Sequence, residues 1–303
     1  MKAVVFGYHN VGARCLRVLI DAGVEVALVV THEDNPNENI WFESVAELAR
    51  LHDIEVIKPE DPNSPAVVEK IAALCPDFIF SFYYRMMLKN ELLSIAPAYN
   101  LHGSLLPKYR GRVPVNWAIL HGETETGATL HKMTEKPDNG DIVDQQAIPI
   151  LKNDTAIEVF HKVTCASEIV LHRALPKLLD GSAVPVKQDL SKGGYFGGRS
   201  AKDGEIDWKK SASEIHNLVR AVAPPYPGAH STISGARLSI YGTLVESRPA
   251  RHASAAIYCE NGRCYAECGG GGVLRLISFE LDGAPGDAQA FARRFGHFPI
   301  TLS

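Results

Sequence analysis

Apolar and polar positions in the first half of the chain follow two alternating periods. Short β-branched and aromatic runs (Val4-Val5-Phe6, Val24 to Val30, Ile54 to Ile57, Phe78 to Phe82) read as strands. They are nearly all apolar, as expected where helices cover both faces of a sheet. Between them, helical spacing recurs around Cys15 to Ile20, over Ser44 to Leu51 and over Ser64 to Leu74. Ser64-Pro65 gives the last of these a cap and a first-turn proline, and Pro76 stops it. The alternation predicts an α/β fold, a mostly parallel sheet with crossover helices. A shorter strand at Tyr99 to Leu101 delivers His102 at its C-terminal end, the edge where open α/β sheets bind ligands.

A helical pattern from Asn153 to Leu179, capped by Asn153 or Asp154 and followed by Gly181, closes this half. The glycine-rich stretch Ser191 to Gly204 reads as a linker or ordered loop. Ser211 and Glu214 form a capping box that opens a short helix, ended near Val222 by Pro224-Pro225. Beyond Gly228 short strands such as Leu238 to Val245 and Val273 to Phe279, split by glycine clusters, fit a small β-barrel. The predicted division is 1–190 for a catalytic domain, 191–204 for a linker and 205–303 for a small β-rich domain.

Composition narrows the function. The 303 residues suit about two domains, and 46% hydrophobic with 22% charged residues is ordinary globular usage. A net charge of −4 argues against a surface built to neutralise nucleic-acid phosphates. The chain begins without a basic, long-apolar secretory pattern, and no apolar run approaches the ~18 residues of a membrane span, so a cytoplasmic location is expected. The six cysteines are scattered. Cys259, Cys264 and Cys268 lack the paired spacing of a zinc knuckle and have no histidine close in sequence, so reduced thiols and no metal are expected. The Gly7-x4-Gly12 turn lacks the full dinucleotide fingerprint, and no acidic residue ends the second strand; NAD is not expected.

The segment Asn100 to Arg112 carries the candidate chemistry. Asn100 and His102, two apart on a strand end, point to the same side. An amide and an imidazole aimed together can hydrogen-bond an oxyanion, and the imidazole can also move a proton. The turn-rich run Thr134 to Val143 offers Asp138 as a carboxylate partner that favours imidazolium.

The run Asn-x-His-x-Ser-Leu-Leu-Pro-x-x-Arg-Gly, followed 36 residues after the histidine by Asp-x-Gly-x-Ile-Val, resembles the formyltransferases that use N10-formyltetrahydrofolate. Asp207-Trp208 and Arg220 to Gly228 look like the start of the second domain in longer members. The resemblance implies a Rossmann-like catalytic domain followed by an OB-like barrel, with N10-formyltetrahydrofolate as co-substrate. It implies Asn100 as oxyanion stabiliser, His102 as proton-transfer residue and Asp138 as the group that tunes it. Met86, Met87 and Leu88 would wall a pterin pocket, and Arg112 with Thr134, Glu135, Lys136, Pro137 and Asp138 would hold the folate.

Thr31 to Pro36, Ser81 to Arg85, Asn116-Trp117 and His121 to Gly127 are similar to the branch that formylates UDP-4-amino-4-deoxy-L-arabinose, a step of lipid A modification and polymyxin resistance. That branch implies a small nucleotide-sugar partner, with no membrane or nucleic-acid partner, and leaves homo-oligomerisation open. Alternatives are a methionyl-tRNA formyltransferase, a formyltransferase for another nucleotide amino sugar, and a non-catalytic folate- or nucleotide-binding module.

Overall fold

The computed structural model describes residues 1–36, 39–296 and 298–302. They separate into two compact units. The first comprises Met1–Pro114, Glu125–Pro149 and His161–Gly197, and the second Val115–Thr124, Ile150–Phe160 and Gly198–Ser303. The divide at Gly197 falls inside the stretch expected as linker. Within that stretch Tyr195–Phe196 is already a strand, paired to Arg110–Gly111 of the first unit.

As far as His102 the first unit follows the strand–helix alternation that the pattern predicts. Strands β1 (Lys2–Gly7) and β2 (Glu25–Val30) are joined by helix α1 (His9–Asp21). Helix α2 (Val45–Leu51), capped by the Ser44 hydroxyl accepting from Glu47 N–H, leads to β3 (Val56–Ile57). Helix α3 (Pro65–Ala73) precedes β4 (Phe78–Phe82), and the short α4 (Asn90–Leu93) precedes β5 (Ala98–His102). After β6 (Arg110–Gly111) and α5 (Pro114–Leu120), strands β7 (Glu125–Lys132) and β8 (Ile142–Pro149) complete a seven-stranded sheet of order β3-β2-β1-β4-β5-β7-β8 among the described residues. Its first five strands are parallel and β7 and β8 antiparallel. One face is sealed by Val4, Phe6, Leu28, Val30, Ile71 and Ile79.

Helix α6 spans Ala156–Leu179, starting later than the expected cap. The Asp154 carboxylate accepts from Leu151 N–H, while the helix entry is closed by Thr155, whose N–H and hydroxyl both donate to Glu158. The Gly7–Gly12 turn is a packing device: a Cβ on Gly12 would lie 2.9 Å from Val45 and 3.3 Å from the Phe82 carbonyl.

Past β9 (Tyr195–Phe196), helix α7 (Ala212–Ala221) starts at the predicted capping box, with both reciprocal bonds formed. Strands β10 (Ala229–Ile233), β11 (Ala236–Glu246), β12 (Ala256–Glu260), β13 (Arg263–Glu267), β14 (Val273–Leu281), β15 (Ala284–Pro285) and, after helix α8 (Ala288–Phe295), β16 (Ile300–Thr301) form an antiparallel sheet curled into a half-barrel. A register shift at Gly242 bends β11 where it pairs with β14. Trp208, Ile215, Val219, Ile240, Leu274 and Phe291 fill the core. Helix α8 was not foreseen in the sequence.

Candidate active site

The site sits where β5 meets β7. Asn100 lies directly opposite His131, and His102 opposite Thr129, so all four side chains share one face. Asn100 Nδ2 donates to His131 Nε2 at 3.1 Å, while His131 Nδ1–H donates to the Lys132 carbonyl at 2.8 Å. His102 is 6% exposed, and its Nε2–H donates to the Tyr109 carbonyl at 2.8 Å. That bond leaves Nδ1 as the ring nitrogen free to exchange a proton, and it faces Asp138 Oδ1 at 3.6 Å.

Asp138 joins the pair from the loop after β7. Its Oδ1 lies 3.5 Å from His131 Nε2, and its Oδ2 accepts from Gly111 N–H at 2.8 Å. Burial drives the carboxyl toward its neutral form, but the imidazoles of His102 and His131 and the Gly111 N–H outweigh it and hold Asp138 well below the usual carboxylate range. It is therefore an anion beside His102 at any working pH. Asp138 has a φ of 55°, a left-handed conformation unusual for a residue with a Cβ. The surroundings impose it. Gln188 Nε2 donates to the carbonyls of Asp138 (3.0 Å) and Gly140 (2.6 Å). The Tyr195 hydroxyl is shared between the Pro137 carbonyl and Asn139 Oδ1, and Arg110 donates to Asn139 Oδ1 at 2.8 Å while stacking on the Tyr195 ring.

The turn carrying Tyr109 is fixed from below. Thr129 Oγ1 donates to the Ser104 carbonyl at 2.6 Å and accepts from Leu106 N–H at 3.1 Å. Gln145 Nε2, on β8, donates to the Leu106 carbonyl and to Thr129 Oγ1. Left-handed backbone recurs around the site at Tyr83, Tyr109 and Val113, a concentration typical of functional loops.

The three expected catalytic residues thus converge. Of the expected folate residues, Met86 and Met87 are 42% and 49% exposed just past β4, the strand parallel to β5. Leu88 instead lies in the core with Ile71 and Leu92. Arg112 is exposed, adjoining the Gly111 N–H that binds Asp138. Thr134 to Pro137 form an exposed turn in which the Thr134 hydroxyl donates to the Lys136 carbonyl.

The family profile described as formyl transferase matches residues 1–175, and its C-terminal domain profile matches residues 199–296. The chain belongs to the formyl transferase family. Its fold is also that of several solved members. A Helicobacter canadensis N-formyltransferase in complex with folinic acid and dTDP-3-aminofucose is 21% identical, with a TM-score of 0.71 over 91% of this chain and 98% of that one. WlaRD, a sugar 3N-formyl transferase solved in the presence of dTDP and 5-N-formyl-THF, is 21% identical at a TM-score of 0.73, covering 91% and 97%. A Francisella tularensis 4-N formyltransferase is 22% identical at 0.61, covering 76% and 91%.

For this formyl transferase, sequence reasoning passed over His131, Gln188 and Tyr195. The one local signal was His131, whose place opposite Asn100 appears once β7 is paired with β5. Among the described residues no group of three or more His, Cys, Asp or Glu is placed to hold a metal ion, and no helix is long and apolar enough to cross a membrane.

Proposed function

We propose that this formyl transferase moves the formyl group of N10-formyltetrahydrofolate to the amine of a nucleotide-linked amino sugar. UDP-4-amino-4-deoxy-L-arabinose is the acceptor its local sequence favours. The observation that carries the reading is the arrangement of His102, with Nε2 committed to a carbonyl and Nδ1 facing the ionised Asp138.

The amine attacks the formyl carbon, and the carbonyl oxygen becomes an oxyanion. One Asn100 N–H is used by His131, and the second is the donor for that oxyanion. The nitrogen that has attacked carries an extra proton; His102 Nδ1 takes it and returns it to N10 as tetrahydrofolate leaves. Asp138 stabilises the imidazolium between these transfers without itself being protonated, as its depressed pKa requires. Arg112 and the 134–138 turn, beside this centre, are the proposed folate contacts, with Met86 and Met87 as exposed apolar surface for the pterin.

The sugar acceptor is supported by the net charge of −4, which suits a small substrate better than tRNA. It is also supported by the segments Thr31 to Pro36, which follows β2, and Ser81 to Arg85, which runs from the last residues of β4 into the loop beyond it, at the ligand-binding edge of the sheet. The test is an assay of the purified chain with N10-formyltetrahydrofolate and, separately, UDP-4-amino-4-deoxy-L-arabinose, dTDP amino sugars and charged initiator tRNA. Formamide formation on the UDP sugar is expected. Turnover on a dTDP sugar alone would reject the specific acceptor, and turnover on the tRNA alone would reject the sugar class.

A further inference from the structure

The hairpin β12–β13 in the second unit carries a feature that formyl transfer does not use. Its two-residue turn, Asn261-Gly262, has φ of 53° and 74°, both left-handed, as a type I′ hairpin turn requires. Glu260 and Arg263 flank that turn, and Cys259 pairs directly with Cys264 one step further on. In such a hairpin the flanking pair exchanges the hydrogen bonds, so the cysteines occupy a non-hydrogen-bonded site, where Cα atoms stand about 4.5 Å apart. That separation falls within the ~4.4–6.8 Å that a disulfide spans. The two sulfurs face each other across the pair, within hydrogen-bond contact.

We propose that Cys259 and Cys264 are a redox couple, oxidised by a low-molecular-weight disulfide of the glutathione type to an intrachain cross-strand disulfide. The thiolate of Cys259, the more exposed of the pair, attacks one sulfur of the small disulfide and expels one thiol. Cys264 then attacks the mixed disulfide at Cys259, forming the Cys259–Cys264 bond and expelling the second thiol. Two electrons and two protons pass from the cysteines to the small disulfide, which ends as two thiols.

The chemistry of the three neighbouring thiols fits these roles. Hydrogen bonding from Cys264 lowers the pKa of Cys259, making it the nucleophile. Cys264 and Cys268 are both raised, Cys264 by its bond to Cys259 and Cys268 by burial; what separates them is register, since Cys264 stands opposite Cys259 and Cys268 lies past the end of β13. Register thus singles out two sulfurs where spacing alone suggested three metal ligands.

The test uses the reduced full chain, equilibrated over a series of oxidised-to-reduced glutathione ratios, alkylated and digested with trypsin without reduction. Cleavage after Arg251, Arg263 and Arg275 puts Cys259 and Cys264 on separate peptides. A linked pair of peptides 252–263 and 264–275 is expected, reversed by excess reduced glutathione and retained in Cys268→Ser. Cys264→Ser should stop at a glutathione adduct on Cys259. Alkylation of both thiols under conditions where the exposed Cys75 and Cys165 are already glutathionylated would overturn the proposal. So would a link lost in Cys268→Ser.

Discussion

Asn100 and His102 are placed by backbone, whereas Asp138 is placed by side chains. The first two lie on β5, whose neighbours β4 and β7 fix it by ladder hydrogen bonds on both sides. Asp138 lies in a loop with left-handed backbone, held by Gln188, by Tyr195 and Arg110 through its neighbours, and by the Gly111 N–H. The strand residues inherit precision from the sheet. The loop residue depends on contacts from chain 27 to 56 residues away, so its position is the easier one to loosen.

The largest effects should come from the strand side. His102→Ala and Asn100→Ala should each lower single-turnover formyl transfer by about 10²–10³-fold, since each removes a group at the developing charge. His131 tests the junction between the two regions. His131→Leu removes the acceptor that orients Asn100 and the ring beside Asp138, and kcat should fall by up to about 10²-fold with folate KM little changed. His131→Gln restores an acceptor for Asn100 and should recover most of that loss. Equal losses in both variants would mean that His131 only fills space.

Loosening the loop alone should do less. Tyr195→Phe deletes one clamp hydroxyl, a net interaction of about 1 kcal/mol, so kcat should fall by less than about tenfold. The smallest effect concerns stability. The folded-state pKa of Asp138 lies below its ordinary value of 3.8. The carboxylate therefore contributes stability that is present above about pH 4 and is lost as pH falls toward the folded pKa. Urea unfolding of wild type and Asp138→Asn should show the widest gap near neutrality, narrowing below about pH 4. A gap independent of pH would mean that the charge of Asp138 is not stabilised by its imidazole neighbours.

The same contrast explains what was legible in the sequence. Strand β4 was read to its exact ends and β1, β2 and α2 nearly so, because local periodicity reports local structure. The Asn100–His102 spacing followed from strand alternation. Strand β7, Glu-Thr-Gly-Ala-Thr-Leu-His-Lys, is too mixed to announce itself, so His131 and Thr129 stayed hidden. Gln188 and Tyr195 act across long separations, and Tyr195 does so from a glycine-rich stretch whose composition signals only turns. The Asp154 cap failed because a second acidic residue, Glu158, was better placed to close the helix entry through Thr155.

The central claim is that the strand histidine and the loop carboxylate act as one proton-transfer unit. A double-mutant cycle on single-turnover formyl transfer tests it most directly, using His102→Ala, Asp138→Asn and the double variant. Residues that act as a unit lose their effect together, so the double variant should be about as slow as His102→Ala alone. If the two losses instead multiply, Asp138 contributes independently of His102, and the unit does not exist.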